Sequence, residues 1–106
     1  CKIDSTRVTL KNKAISRHEG SRMIENAISK GARLFNSGHH AACARVYMDT
    51  AQQMVEYADE MSPLARHRLQ TALVRAEHST CPTRRSWTLR RGLDRAYYAL
   101  RSARRR

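Results

Sequence analysis

The stretch CARVYMDTAQQMVEYADEM, residues 43–61, decides the fold predicted for this 106-residue chain. Its apolar residues recur at three- and four-residue steps through about five turns, which is the period of one face of an α-helix. A stripe of this length predicts a helix that packs against other helices. Its members are Cys43, Val46, Tyr47, Thr50, Ala51, Met54, Tyr57, Ala58 and Met61.

Turn signals on either side of this stretch divide the rest of the chain into three further helices. Asn36-Ser37-Gly38 ends an upstream helix whose apolar period runs over residues 23–35. Ser62-Pro63 and Cys81-Pro82 each place a proline at a helix start, where it removes no hydrogen bond. The predicted buried faces of the two downstream helices are Leu64, Ala65, Leu69, Ala72, Leu73 and Ala76, and then Leu89, Leu93, Ala96, Tyr97 and Leu100.

Short connections between consecutive helices favour antiparallel neighbours. The predicted fold is therefore all-α, an antiparallel four-helix bundle built from two helical hairpins. Residues 1–20 show no sustained period and mix Ser, Thr, Lys and Arg with isolated apolar residues. We therefore predict a basic, irregular, extended arm over residues 1–20 and a bundle domain over residues 21–106. No apolar run approaches the roughly 20 residues that a membrane-spanning helix needs.

The spacing within the first hairpin resembles that of a tetratricopeptide-type helical hairpin. Gly31, Leu34, Gly38, Cys43 and Tyr47 follow the family's order of glycine, large residue, glycine, small residue and aromatic. The resemblance covers about 20 residues, lacks the family's early tryptophan and its closing proline, and does not recur in the second half. It implies a tightly packed pair of helices and no activity.

The net charge of +12 is concentrated in the last quarter of the chain. Residues 82–106 contain nine arginines and one aspartate, whereas residues 21–61 contain four basic and five acidic residues. A strong field of one sign favours binding to an acidic surface, a phosphate backbone or an anionic lipid. The last helix is therefore the part of the chain that we expect to bind a partner.

Arginines and aromatic residues share one face of this last helix, opposite its leucines. Arginine forks bind carboxylates or phosphates in pairs, and tryptophan and tyrosine supply a large contact area. We predict that this face binds a partner; the alternative is a solvated basic face whose aromatic rings rest on a neighbouring helix. The predicted partner-binding residues are Arg84, Trp87, Arg91, Arg95, Tyr98 and Arg105.

Two His-x-x-Cys pairs form a second candidate site: His40 with Cys43, and His78 with Cys81. Antiparallel helices would bring both pairs to the same end of the bundle. A Cys43–Cys81 disulfide there would close a long loop and contribute about 3–4 kcal/mol of stability. The other two interpretations are that both cysteines stay reduced, with Cys43 packed as a small apolar residue, or that all four residues bind zinc.

The sequence offers little support for catalysis. It has no phosphate-binding glycine loop and no recognised pattern of nucleophile, histidine and carboxylate. We therefore expect a non-enzymatic protein that needs no cofactor. The leading hypothesis is an accessory or adaptor subunit of a larger protein assembly, for example an organellar photosynthetic or respiratory complex, docked on an acidic protein surface.

Two other functions stay open from the sequence. One is a ribosome-associated, RNA-binding helical protein, and the other is a metal-binding or redox-responsive bundle. An anionic membrane surface also stays open as a partner. The chain starts at Cys1 rather than methionine, which is compatible with a processed protein of a chloroplast or mitochondrion but leaves the compartment undetermined.

Overall fold

The computed structural model of the chain describes residues 16–57 and 62–104, and all four predicted helices are present. They are α1 (Arg17–Asn36), α2 (His40–Tyr57), α3 (Pro63–Glu77) and α4 (Pro82–Arg104). The described residues contain no β-strand. The predicted all-α four-helix bundle is therefore confirmed.

Helices α2 and α4 each pack against all three other helices. The contacts between α3 and α4 are the most extensive, followed by those between α1 and α2. The core is formed by described members of the predicted apolar faces, whereas Leu64 is half-exposed in the first turn of α3. The largest fully buried side chains are Ile24, Cys43, Met54, Leu69, Ser86, Leu89, Leu93 and Leu100.

Helix α1 begins earlier than the apolar pattern predicts, so residues 17–20 belong to the bundle and the predicted arm boundary at residue 20 is wrong. The cause is a capping box. The Ser16 hydroxyl accepts a hydrogen bond from the Glu19 amide at 3.1 Å, and the Glu19 carboxylate accepts one from the Ser16 amide at 3.2 Å. Residues 1–15 of the predicted arm, and Ala58 and Met61 of the predicted α2 stripe, lie outside the described residues.

The turns between helices use the residues that the sequence pointed to. Gly38 has a φ of +87°, a left-handed conformation that glycine adopts without steric cost. The amide of His39 then donates to the Leu34 carbonyl at 2.8 Å and closes the end of α1. At the start of α3, the Ser62 hydroxyl accepts a hydrogen bond from the Ala65 amide at 3.3 Å, directly before Pro63.

A glycine provides the closest approach between helices in each hairpin. A methyl group at Gly31 would lie 2.6 Å from Cζ of Tyr47, so the tyrosine ring of α2 rests directly on the backbone of α1. A methyl group at Gly92 would overlap Cβ of Ala72 and lie 3.6 Å from the carbonyl oxygen of Arg68. The absence of a side chain at each glycine is therefore what lets the two helices of each hairpin touch.

We expect Gly92→Ala to destabilise the bundle. Cβ of Ala72 is fixed to its backbone and cannot rotate away, so α3 and α4 must separate, at a cost of about 1–3 kcal/mol in the free energy of unfolding. Urea denaturation followed by circular dichroism measures the change. Adding Ala72→Gly in the same chain removes the clash and should recover part of the loss. An unchanged or higher stability of Gly92→Ala would contradict this close contact.

Candidate functional site on the last helix

The predicted partner-binding face is exposed on α4. Trp87 is 49% exposed and Tyr98 is 75% exposed. Arg84, Arg91 and Arg95 are also at the surface, opposite the buried leucines of the same helix. Arg105, the sixth predicted residue, lies outside the described residues. The structure thus places the other five on one solvent-facing side of the helix.

One edge of this face is aromatic and borders α1. The Trp87 ring meets the Phe35 ring edge-on, with centroids 5.8 Å apart and planes at 72°. Phe35 in turn stacks on His40, at a centroid distance of 4.0 Å. Beside these rings lies a mainly apolar pocket of about 140 Å³, lined by Ala32, Phe35, Asn36, Tyr47, Ser86, Trp87 and Arg90.

Hydrogen bonds fix the helix starts that carry this aromatic edge. The Thr83 hydroxyl and Nδ1 of His40 are 2.9 Å apart. The Ser86 hydroxyl lies 3.1 Å from the His40 carbonyl and 2.9 Å from the Pro82 carbonyl, to which it can donate. The first turns of α2 and α4 are therefore joined, and Trp87, the next residue after Ser86, has a rigid support.

The other edge of the face borders α3 and is basic. We call it the basic cleft; its volume is about 280 Å³. Among residues 16–57 and 62–104, two arginines of α3 and two of α4 line it, and no acidic residue does. Its full lining is His67, Arg68, Thr71, Ala72, Arg75, Thr88, Arg91, Gly92 and Arg95.

Only half of the arginines in this cleft are predicted by the sequence pattern. Arg91 and Arg95 were predicted from the α4 pattern, whereas Arg68 and Arg75 were missed because they belong to another helix. A signal was available, since residues seven apart lie close to the same face of a helix. The rotation of α3 that turns this face toward α4 is set by packing between the two helices, so the sequence of one helix alone does not predict it.

Two other arginines of α4, Arg90 and Arg101, already contact side chains of this chain. The Tyr97 hydroxyl donates to the Glu25 carboxylate at 2.6 Å, and this hydrogen bond raises the pKa of Tyr97. Arg101 donates to the same hydroxyl at 3.3 Å, and its guanidinium lies 5.5 Å from the centre of the Tyr97 ring. Arg90 pairs with Asp94 at 3.4 Å. The Tyr97–Glu25 hydrogen bond joins α1 to α4. The contacts of Arg101 and Arg90 leave these two side chains less able to bind a partner than the arginines of the basic cleft.

The disulfide interpretation of Cys43 and Cys81 is not supported, because both cysteines are free in the structure. The starts of α2 and α4 do meet, as the hydrogen bonds of His40 show. Cys43, however, is fully buried in the core, whereas Cys81 is exposed in the connection before α4. The two sulfur atoms therefore belong to different environments.

The four residues of the zinc hypothesis are also engaged separately. His40 contacts Thr83 and Phe35, and Nδ1 of His78 lies 2.8 Å from the Val74 carbonyl. Across residues 16–57 and 62–104, no three His, Cys, Asp or Glu side chains come together in a way that could hold a metal ion. The described part of the chain therefore gives the metal-binding alternative no support.

Cys81 is chemically distinct from Cys43. Backbone N–H groups of Arg84 and Thr83, at the start of α4, donate to its sulfur and lower the pKa of the Cys81 thiol. The lower pKa follows because the N-terminal amides of a helix stabilise negative charge.

We expect alkylation to separate the two cysteines. Iodoacetamide should modify Cys81 in the native protein, with a pH profile displaced to lower pH than that of a short unfolded peptide containing the same residue. Cys43 should react only after denaturation, because its sulfur is inaccessible in the core. Peptide mass spectrometry assigns each modified site. Equal labelling of both cysteines in the native protein would contradict this arrangement.

Comparisons with known proteins add no further constraint on the site. No protein-family model matches the chain, and no curated protein or solved structure shows significant similarity to it. Within the described residues, no helix is long and apolar enough to cross a membrane. The tetratricopeptide-like spacing corresponds here to one contact, that of Gly31 with Tyr47. The function must therefore be argued from the surface of the bundle itself.

Proposed function

We propose that this chain is a non-enzymatic accessory or adaptor subunit of a larger protein assembly, and that it docks on an acidic protein surface through α4. The observation that carries this proposal is the exposure of Trp87 and Tyr98 among arginines. The leucines of the same helix, in contrast, are buried in the core. Large aromatic side chains left at the surface, next to arginines, have the composition of interface hot spots.

The aromatic edge offers a rigid anchor for a partner. Trp87 is supported by Phe35, which is supported by His40. A side chain that is already fixed before binding loses less conformational entropy when the complex forms. The adjacent pocket of about 140 Å³ has room for an apolar side chain of the partner.

The charge of the face indicates what kind of surface the partner presents. Residues 82–106 carry nine arginines and a single aspartate, Asp94, which already pairs with Arg90. Carboxylates on the partner would match Arg84, Arg91 and Arg95 across the interface, steer the two proteins together and suppress binding to basic proteins.

Trp87→Ala tests the docking proposal. We expect it to weaken binding of the partner by about tenfold or more, since truncating a hot-spot tryptophan removes its contact area. Truncating a buried Trp or Phe lowers the free energy of unfolding by about 3–5 kcal/mol. Because the Trp87 side chain is half-exposed, Trp87→Ala should cost less than this. The measurements are affinity capture of the tagged chain from its native extract, after nuclease treatment, and thermal denaturation.

Val74→Ala is the matched control, because Val74 is 55% exposed but lies on α3 and lines neither the pocket beside Trp87 nor the basic cleft. The proposal requires one acidic protein partner that survives nuclease, is lost with Trp87→Ala and is kept with Val74→Ala. If Trp87→Ala keeps the partner, the face is only solvated. If nuclease alone releases whatever is captured, the RNA-binding alternative replaces the proposal.

A further inference from the structure

We infer that the basic cleft between α3 and α4 binds a small compound that carries one or two phosphate groups. This site overlaps the docking face at Arg91 and Arg95, but its other two arginines, Arg68 and Arg75, come from α3 and are not part of the predicted face of α4.

The convergence of arginines from two helices is the first reason. In the described part of the chain, none of the four arginines of the cleft forms an ion pair or a side-chain hydrogen bond, whereas Arg90 and Arg101 do. The close contact of Gly92 with Ala72 holds the two helices together beneath them. Four positive groups are thus brought around one volume, and none of the described lining residues is acidic. A bound anion would reduce the repulsion among these arginines.

The chemistry of the lining favours phosphate over a carboxylate. A phosphate group carries a charge of about −1.5 to −2 and three strong acceptor oxygens. The guanidinium fork binds such oxygens in pairs, and several forks can share one group. The hydroxyls of Thr71 and Thr88, which also line the cleft, add neutral donors.

The size of the cleft limits the ligand. Arg68 and Arg75 are separated by about 10 Å along α3, at 1.5 Å per residue. The volume of about 280 Å³ is close to the lower end of the roughly 300–1,000 Å³ typical of small-molecule sites. Sequence-independent binding of single-stranded nucleic acid commonly spans about 4–16 nucleotides, which is longer than this cleft. A compound with one or two phosphate groups fits the cleft better than a polymer does.

Pyrophosphate is the probe for this site. Isothermal titration calorimetry, with pyrophosphate added to the full 106-residue chain, measures the dissociation constant of the complex. The ionic strength is held constant with sodium chloride. We expect saturable binding of one pyrophosphate, and a melting temperature that rises with pyrophosphate concentration because the ligand binds only the folded chain. Arg68→Ala and Arg75→Ala should each weaken binding about tenfold or more, since each removes a charge-assisted hydrogen-bonding group.

Arg45→Ala is the matched control, because Arg45 is exposed on α2 and does not line the cleft. Its dissociation constant should equal that of the parent chain. Equal weakening by Arg45→Ala and Arg68→Ala would show a general charge effect and overturn the site. Binding of a single-stranded oligonucleotide without any binding of pyrophosphate would also overturn it, in favour of RNA.

Two further variants separate this site from the docking function. Trp87→Ala should leave pyrophosphate binding unchanged, and Arg75→Ala should leave capture of the protein partner unchanged. Loss of pyrophosphate binding in Trp87→Ala, with the bundle still folded, would contradict a site confined to the cleft. The failure of either proposal can therefore be seen without the other.

Discussion

The contact between Gly92 and Ala72 is the constraint on which the rest of the structure depends. It sets how closely α4 lies against α3, and this pair of helices has the most extensive contacts of the bundle. Gly92 and Ala72 also line the basic cleft. The lack of a side chain at Gly92 therefore affects both the packing of the two helices and the shape of the cleft. Stability and the geometry of the arginines are therefore coupled: a change that pushes the two helices apart also spreads the charges above them.

Local sequence signals account for most of the fold. The apolar period and the two helix-start prolines define α2, α3 and α4, because each signal acts within a few residues. The apolar period does not predict the start of α1, because that period begins only at Met23. The capping-box pattern of Ser16 and Glu19 is the local signal that does indicate it. Leu64 shows the opposite error: an apolar residue next to a helix start was assigned to the core, but the first turn of α3 leaves it half-exposed.

The residues of the candidate site also differ in whether local sequence signals predict them. The exposure of Trp87 and Tyr98 follows from the rotation of a single helix and was predicted from α4 alone. The pairing of Arg91 and Arg95 with the arginines of α3 depends on the relative rotation of two helices, which side-chain packing decides. The position of the two cysteines along the bundle allows a disulfide, whereas the apolar stripe that contains Cys43 favours a sulfur that faces the core, and the structure has Cys43 buried and Cys81 exposed.

The two glycine contacts also bear on how this chain can change in evolution. Because the ring of Tyr47 fills the space above Gly31, and Cβ of Ala72 fills the space above Gly92, a larger residue on one side of either contact requires a smaller one on the other. Substitutions at these paired positions should therefore covary among homologous chains. Relatives with diverged surfaces should be recognisable by these two pairs of positions rather than by their charge.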